Sequence, residues 1–196
     1  MNPGVLHTDK NGNTRMIDMG TRLLCDRVIL LTGEINGEVA TEVVSQILYL
    51  NSENDKEPIQ MWIQSPGGEC NAGLAIIDAM KMSNAPIYTI GYGMVASMAS
   101  VILSQGESGH RAALPNTKIM IHQPLGGAKG QISDIEIQYK EGQKIKDQIT
   151  EMIAKASGND LKKTYSAMDR DNYLTTEEAM NFGKKGLIDK IIDKLQ

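Results

Sequence analysis

Short apolar runs alternate with stretches of helical period along most of the chain. Val28-Ile29-Leu30-Leu31 reads as a short buried strand ended by Gly33. Asn36 then reads as the cap of a helix over Glu38 to Leu50, with Val39, Val43, Ile47 and Leu50 on one face. After a polar loop at 51–57, Ile59 to Gln64 is the next strand, running straight into Ser65-Pro66-Gly67-Gly68. Ala72 to Met82 reads as a helix, broken by Asn84-Ala85-Pro86. Ile87 to Ile90 is a strand, Gly91-Tyr92-Gly93 a glycine turn, and Ala96 to Leu103 a helical run of mostly small residues with Ser97 in its first turn. Lys118 to His122 is one more strand. Strands and helices alternating in this rhythm predict an α/β fold with a parallel or mostly parallel sheet, and near-continuous apolar strands suit a sheet covered on both faces.

The flanks follow different patterns. Residues 1–20 read as a loosely ordered arm: Pro3-Gly4 and Asn11-Gly12-Asn13 are turn signals without a hydrophobic period beside them. Such an arm is either a disordered tag or a mobile gate. A glycine-rich connector, Gly126 to Gly130, precedes Ser133-Asp134-Ile135-Glu136, which has the form of a capping box. The helix it opens should run to about Ala156, with Ile132, Ile135, Tyr139, Ile145, Ile149, Met152 and Ile153 as its apolar stripe. That is longer than a small α/β core requires, so the stripe needs a partner surface, from a second copy or from this chain. Ser157-Gly158-Asn159 ends it. Leu161 to Met168 reads as a short helix, 169–173 as a polar turn, Thr175 to Glu178 as the start of another helix stopped at Gly183, and Leu187 to Ile192 as a final strand or helix.

Composition narrows the function classes. The chain has 196 residues, 41% hydrophobic and 22% charged, an ordinary globular balance for one domain or one domain with an excursion. One Trp, one Phe and six Tyr leave the packing to Met, Ile and Leu. A net charge of −4 without a long basic run argues against nucleic acid and anionic membrane as partners. No apolar stretch approaches a membrane span, the N-terminus lacks a signal-peptide core, and Cys25 and Cys70 form no framework, so a reduced, cytoplasmic setting is expected.

Candidate chemistry gathers at strand ends. Ser97, at a helix start, faces orphan N–H groups and the positive end of the macrodipole, where a forming oxyanion would be stabilised. It reads equally as a buried serine satisfying the backbone, and the surroundings are not G-x-S-x-G. Of three histidines, His7 lies in the arm and His110 in a stretch that is a solvated loop by composition. His122 alone ends an apolar strand, as structural histidine or as partner to Ser97. Pro66-Gly67-Gly68 is either a plain turn or a source of free amides for an oxyanion, and it lacks the Lys and Ser/Thr of a phosphate loop. No spacing of His, Cys and carboxylates suggests a metal.

Taken together, Ser65 to Gly68, Gly91 to Ser100, Ala113-Leu114-Pro115-Asn116, Met120 to Gly127, Asp169 to Tyr173 and Thr176 to Ala179 resemble the Clp protease family, the proteolytic subunits (ClpP) of the ATP-dependent Clp protease. The match runs from about Arg22 to Ile192. The resemblance implies the crotonase-like (ClpP) fold, divided as an axial arm at 1–20, a head domain at 21–125 and 157–196, and a handle at 126–156 between them. It implies a serine endopeptidase with Ser97 as nucleophile, His122 as base and then acid, Asp171 orienting His122, and the Gly68 and Met98 amides as oxyanion hole. Gly67, Glu69 and Cys70 on one side, and Pro124, Leu125 and Gly126 on the other, would pair with an extended substrate. Asp169 and Arg170 would bridge two stacked heptameric rings. Gln60, Trp62 and Met82 stand where the family docks an AAA+ unfoldase, which uses the ATP and delivers unfolded polypeptide; the chain itself is expected to take no cofactor. Only Trp62 keeps an aromatic there, which leaves open a weakly active ring subunit that needs a paralogous ClpP ring. A hydratase or thioesterase acting on acyl-CoA with the same fold would lack the Ser-His-Asp set.

Overall fold

The computed structural model describes residues 4–8 and 11–194. Its frame is a sheet grown from β3 (Val28–Ile35), β4 (Ile59–Gly68) and β5 (Ile87–Ala96), all parallel. The far edge of β5 is shared. Its first half pairs with β6 (Arg111–Ala113) and its second half with β7 (Lys118–Ile121), again in parallel. The order continues from β6 to β9 (Lys190–Ile191) in parallel, while β8 (Asn172–Leu174) lies antiparallel on β7. The fold is mixed α/β with a mostly parallel sheet.

Helices cover the sheet, as parallel strands require. In α2 (Gly37–Glu53) the Asn36 side chain accepts from the Val39 amide, as the cap signal predicts, and Ala40, Val43, Ile47 and Leu50 are buried. The helix runs three residues past Leu50, into what reads as loop. Its end is held by Arg27, whose guanidinium donates to the carbonyls of Leu50, Asn54, Glu57 and Pro58. α3 (Cys70–Met82) packs on α2, and α4 (Met98–Ser104) is buried at every residue between α3 and the sheet. Ile29, Leu31, Ile63, Ile76, Ile77, Ile102 and Leu103 form the centre of the core.

Several expectations change. β5 does not end in a glycine turn; it runs through Gly91-Tyr92-Gly93 to Ala96, with extra residues bulged out opposite Ile63 to Ser65 and Gly93 at φ 62°. Gly33 likewise interrupts β3 without ending it. The arm holds an antiparallel pair, β1 (Gly4–Thr8) and β2 (Thr14–Asp18), joined to the sheet by α1 (Met19–Cys25); residues 1–3 and 9–10 of the arm lie outside the described residues. The stretch read as a solvated loop carries a buried arginine: Arg111 holds the half-buried Asp189 at 2.6 Å and also donates to the Ala156 and Lys185 carbonyls. Beside it, His110 stacks on Tyr88 with ring centroids 3.9 Å apart.

The long helix is α5 (Ile132–Ser157), 26 residues and about 39 Å at 1.5 Å per residue. It starts from Gln131 without a side-chain cap, so Ser133 and Glu136 fall inside its first turns and make no capping box. That motif forms instead at Thr175 and Glu178, opening α7 (Thr176–Met180). Gly158, at φ 63°, closes α5 in the left-handed conformation. Only from Ile149 onward is α5 buried; Ile132 is 81% exposed, and Tyr139 is also exposed. The stripe is therefore half covered by this chain, by α4 and by α6 (Leu161–Ala167). Tyr165 of α6 donates to Asp147 of α5 at 2.7 Å, a bond that pushes the phenol up to about 12.

Candidate functional site

Ser97 is the hinge between β5 and α4. Its amide donates to the Met120 carbonyl at 2.8 Å, closing the β5–β7 ladder, and its own carbonyl accepts from the Ser100 and Val101 amides and from Ser100 Oγ. Between these two anchors the backbone turns at φ 55°, ψ −125°, a conformation that L residues seldom adopt. This is a sharp strand-to-helix elbow built without G-x-S-x-G: the residues two before and two after are Val95 and Ala99, both fully buried. The elbow presents the Ser97 hydroxyl at the carboxyl end of the sheet, between β4 and β7.

Glycines make room for it. A Cβ on Gly67 would stand 2.6 Å from Ser97 Cβ and 2.8 Å from the Ala96 carbonyl, and φ there is 95°. A Cβ on Gly68 would run into the Ile35 carbonyl. The backbone of Ser65-Pro66-Gly67-Gly68 thus lies directly against the elbow. Its amides are sorted. Gly67 N–H donates to Ser65 Oγ at 3.0 Å, and Glu69 N–H to the Ile35 carbonyl at 2.8 Å. Gly68 lies between these two in sequence. The Met98 amide opens α4 and, like every first-turn amide, lacks an acceptor in its own helix.

His122 follows β7 and is 10% exposed at its side chain. Nε2 lies 2.8 Å from Ser97 Oγ and Nδ1 2.9 Å from Asp171 Oδ1. A carboxylate only accepts, so Nδ1 carries the proton and Nε2 is left to accept from the Ser97 hydroxyl. The structure brings all three residues together. Asp169 and Arg170, two residues and one residue before Asp171, form an exposed pair, with Arg170 Nη1 3.8 Å from Asp169 Oδ2.

The segments expected to flank a substrate leave the strands on either side of Ser97. Glu69 is exposed and Cys70, its thiol pushed up by burial, begins α3 after β4. Pro124, Leu125 and Gly126 follow His122 after β7 outside any helix or strand, with Leu125 exposed. Elsewhere, Trp62 packs edge-on against Tyr92, ring centroids 6.1 Å apart, in a cavity of about 500 Å³ that Leu114 and Ile192 also line. Gln60 accepts from Trp62 Nε1 at 3.3 Å, and Met82 is exposed on α3; neither lines that cavity. Tyr92 was hidden from the sequence by the reading of a turn where β5 continues. Ser65 was visible only as part of a motif, although a serine two residues before a glycine amide is a known turn-making arrangement.

Among the described residues no group of three His, Cys, Asp or Glu could hold a metal ion, and no helix is long and apolar enough to cross a membrane. A sequence model of the Clp protease family matches residues 10–195.

Proposed function

The chain belongs to the Clp protease family of serine peptidases, and from that premise we propose that it is an endopeptidase cutting unfolded polypeptides into short peptides, with Ser97, His122 and Asp171 as its catalytic residues. The observation that carries the reading is the continuous hydrogen-bonded chain from Ser97 Oγ through His122 to Asp171, at 2.8 and 2.9 Å.

His122 Nε2 removes the Ser97 proton as Oγ attacks the scissile carbonyl. Asp171 holds the tautomer and stabilises the imidazolium that forms. The oxyanion is received by the Gly68 and Met98 amides, with the start of α4 adding its dipole. His122 then protonates the leaving amine, and water repeats the sequence on the acyl-enzyme. Gly67 to Cys70 and Pro124 to Gly126 pair with the backbone of an extended substrate, which binds without demanding much of its side chains.

The exposed half of the α5 stripe supports burial against a second copy, as in two stacked heptameric rings with Asp169 and Arg170 near the junction. Substrates then need a separate AAA+ unfoldase, which consumes ATP and docks at the Trp62 surface; this chain takes no cofactor. The aligned Ser97–His122–Asp171 chain favours activity without a paralogous ring.

The test is a peptidase assay on the purified protein beside its native mass. Ser97→Ala is expected to lose on the order of 10⁵–10⁶ in kcat. Native proteins should be spared until an unfoldase and ATP are added. A well-formed ring with no activity would overturn the autonomous reading and favour dependence on a paralogous subunit.

A further inference from the structure

Gln123 directly follows His122. Its backbone amide donates to the Met168 carbonyl at 2.5 Å, which ties the end of β7 to the segment leading toward Asp171. Its side chain reaches in two directions. Nε2 donates to the Asp169 carbonyl at 2.6 Å and lies 3.3 Å from Asp169 Oδ1. Oε1 accepts from Lys146 Nζ at 2.8 Å. The orientation of the amide is fixed by its partners, since an ammonium only donates and a carbonyl only accepts. One side chain therefore spans the loop that carries Asp171 and the helix α5.

Lys146 stands where α5 meets the body. Ile145 before it packs on the core, and Ile149 is the first fully buried residue of the stripe. Asp171 is lightly held by comparison. Its side chain is 57% exposed, the strand after it has three residues, and the nearest other side-chain tie is Asn172 Nδ2 to the Ala167 carbonyl at 3.2 Å. A charged donor on Oε1 also polarises the amide and strengthens its donation to Asp169.

We propose that Gln123 and Lys146 are positioning residues for the His122–Asp171 pair, linking the root of α5 to the loop that presents Asp171. This rests on the peptidase reading above. When α5 shifts at its root, Lys146 carries Gln123 with it and Asp171 moves relative to Nδ1. Displacements of about 1 Å suffice to lower rates by up to about 10²-fold.

The experiment uses the full-length protein, a fluorogenic peptide, native mass and thermal unfolding, with wild type and Ser97→Ala as the two ends of the scale. Lys146→Met is expected to lower kcat about tenfold with KM changed by less than about twofold and particle mass unchanged. Lys146→Arg, which keeps a donor in that place, should return kcat to within about threefold of wild type. Gln123→Glu keeps an acceptor for Lys146 but turns a carboxylate onto Asp169, so it should fall as far as Gln123→Ala. The double variant Gln123→Ala/Lys146→Met should lose no more than Gln123→Ala alone, because the two act as one unit. Full activity in Lys146→Met, a rise in KM alone, or independent additive losses would overturn the proposal. If Lys146→Met does not assemble, equal kcat in Gln123→Glu and wild type overturns it instead. An inactive wild type sinks the peptidase reading, whereas an active wild type beside unaffected variants sinks only this link.

Discussion

Asp171 faces His122 because β8 lies antiparallel on β7 with Asn172 opposite Ile121. Extending that register by one residue sets 171 against 122, and the resulting Nδ1 to Oδ1 distance is 2.9 Å. The pairing of two short strands thus places a carboxylate 49 residues away in sequence onto the imidazole.

Asp171→Asn is expected to leave this geometry standing while inverting what Nδ1 meets. An amide can donate to Nδ1 and trap the tautomer that has no acceptor for the Ser97 proton. Loss of kcat should be about 10³–10⁴-fold, as expected for the wrong tautomer in such a triad. Asp171 is more than half exposed at its side chain, so stability should change by less than about 0.5 kcal/mol. Steady-state kinetics beside a melting curve separates the two; a large drop in Tm would mean that Asp171 holds structure instead.

Gly67→Ala tests the close approach of β4 to the elbow. The added methyl would meet Ser97 Cβ and the Ala96 carbonyl, both backbone-anchored, at a φ of 95° that alanine also resists. Either β4 or the elbow must retreat, and each carries one of the two amides proposed to receive the oxyanion. Labelling of Ser97 by a fluorophosphonate should slow at least about 10²-fold, the cost of losing one such donor. Wild-type labelling in a folded Gly67→Ala variant would place the oxyanion hole elsewhere.

The sheet and its helices were legible in the sequence where a single face decides the pattern. Val43, Ile47 and Leu50 recur at helical spacing and are buried, and Asn36 caps as its residue type predicts. What escaped was set by contacts distant in sequence. Ser97 holds φ 55° because β7 and α4 clamp it from both sides, and no local signal predicts a strained non-glycine residue. Arg111 sits among polar residues, yet Asp189 and three carbonyls draw it inside. The resemblance names Asp171 beside Ser97 and His122; the residues alone leave Ser97 and His122 as open alternatives, and only the β7–β8 register explains how Asp171 reaches the imidazole.

The exposed half of α5 predicts its own dependence on assembly. Ile132 and Tyr139 lie on one face of the helix, uncovered and near its free end. Ile132→Lys combined with Tyr139→Glu should leave the head folded and divide the particle into halves, read as a twofold fall in native mass. Unchanged mass would mean that this stripe does not form the junction between rings.

The Arg111–Asp189 pair predicts a pH-dependent share of stability. Burial alone would raise the Asp189 carboxyl, but the hydrogen bonds and charge of Arg111 prevail and hold it below the usual carboxylate value. A carboxylate depressed in the folded state contributes stability above its unfolded pKa of about 3.9, and that contribution is lost as pH falls through the lower folded value. Asp189→Asn leaves the Arg111 guanidinium buried beside a neutral amide, a change that should cost about 2–4 kcal/mol at pH 7. Denaturant unfolding of wild type and Asp189→Asn across pH 7 to 2 is the measurement. The gap between them should be constant down to about pH 4 and close below it. A gap that persists undiminished at pH 2 would show that Asp189 acts through its shape and hydrogen bonds, with its charge adding nothing.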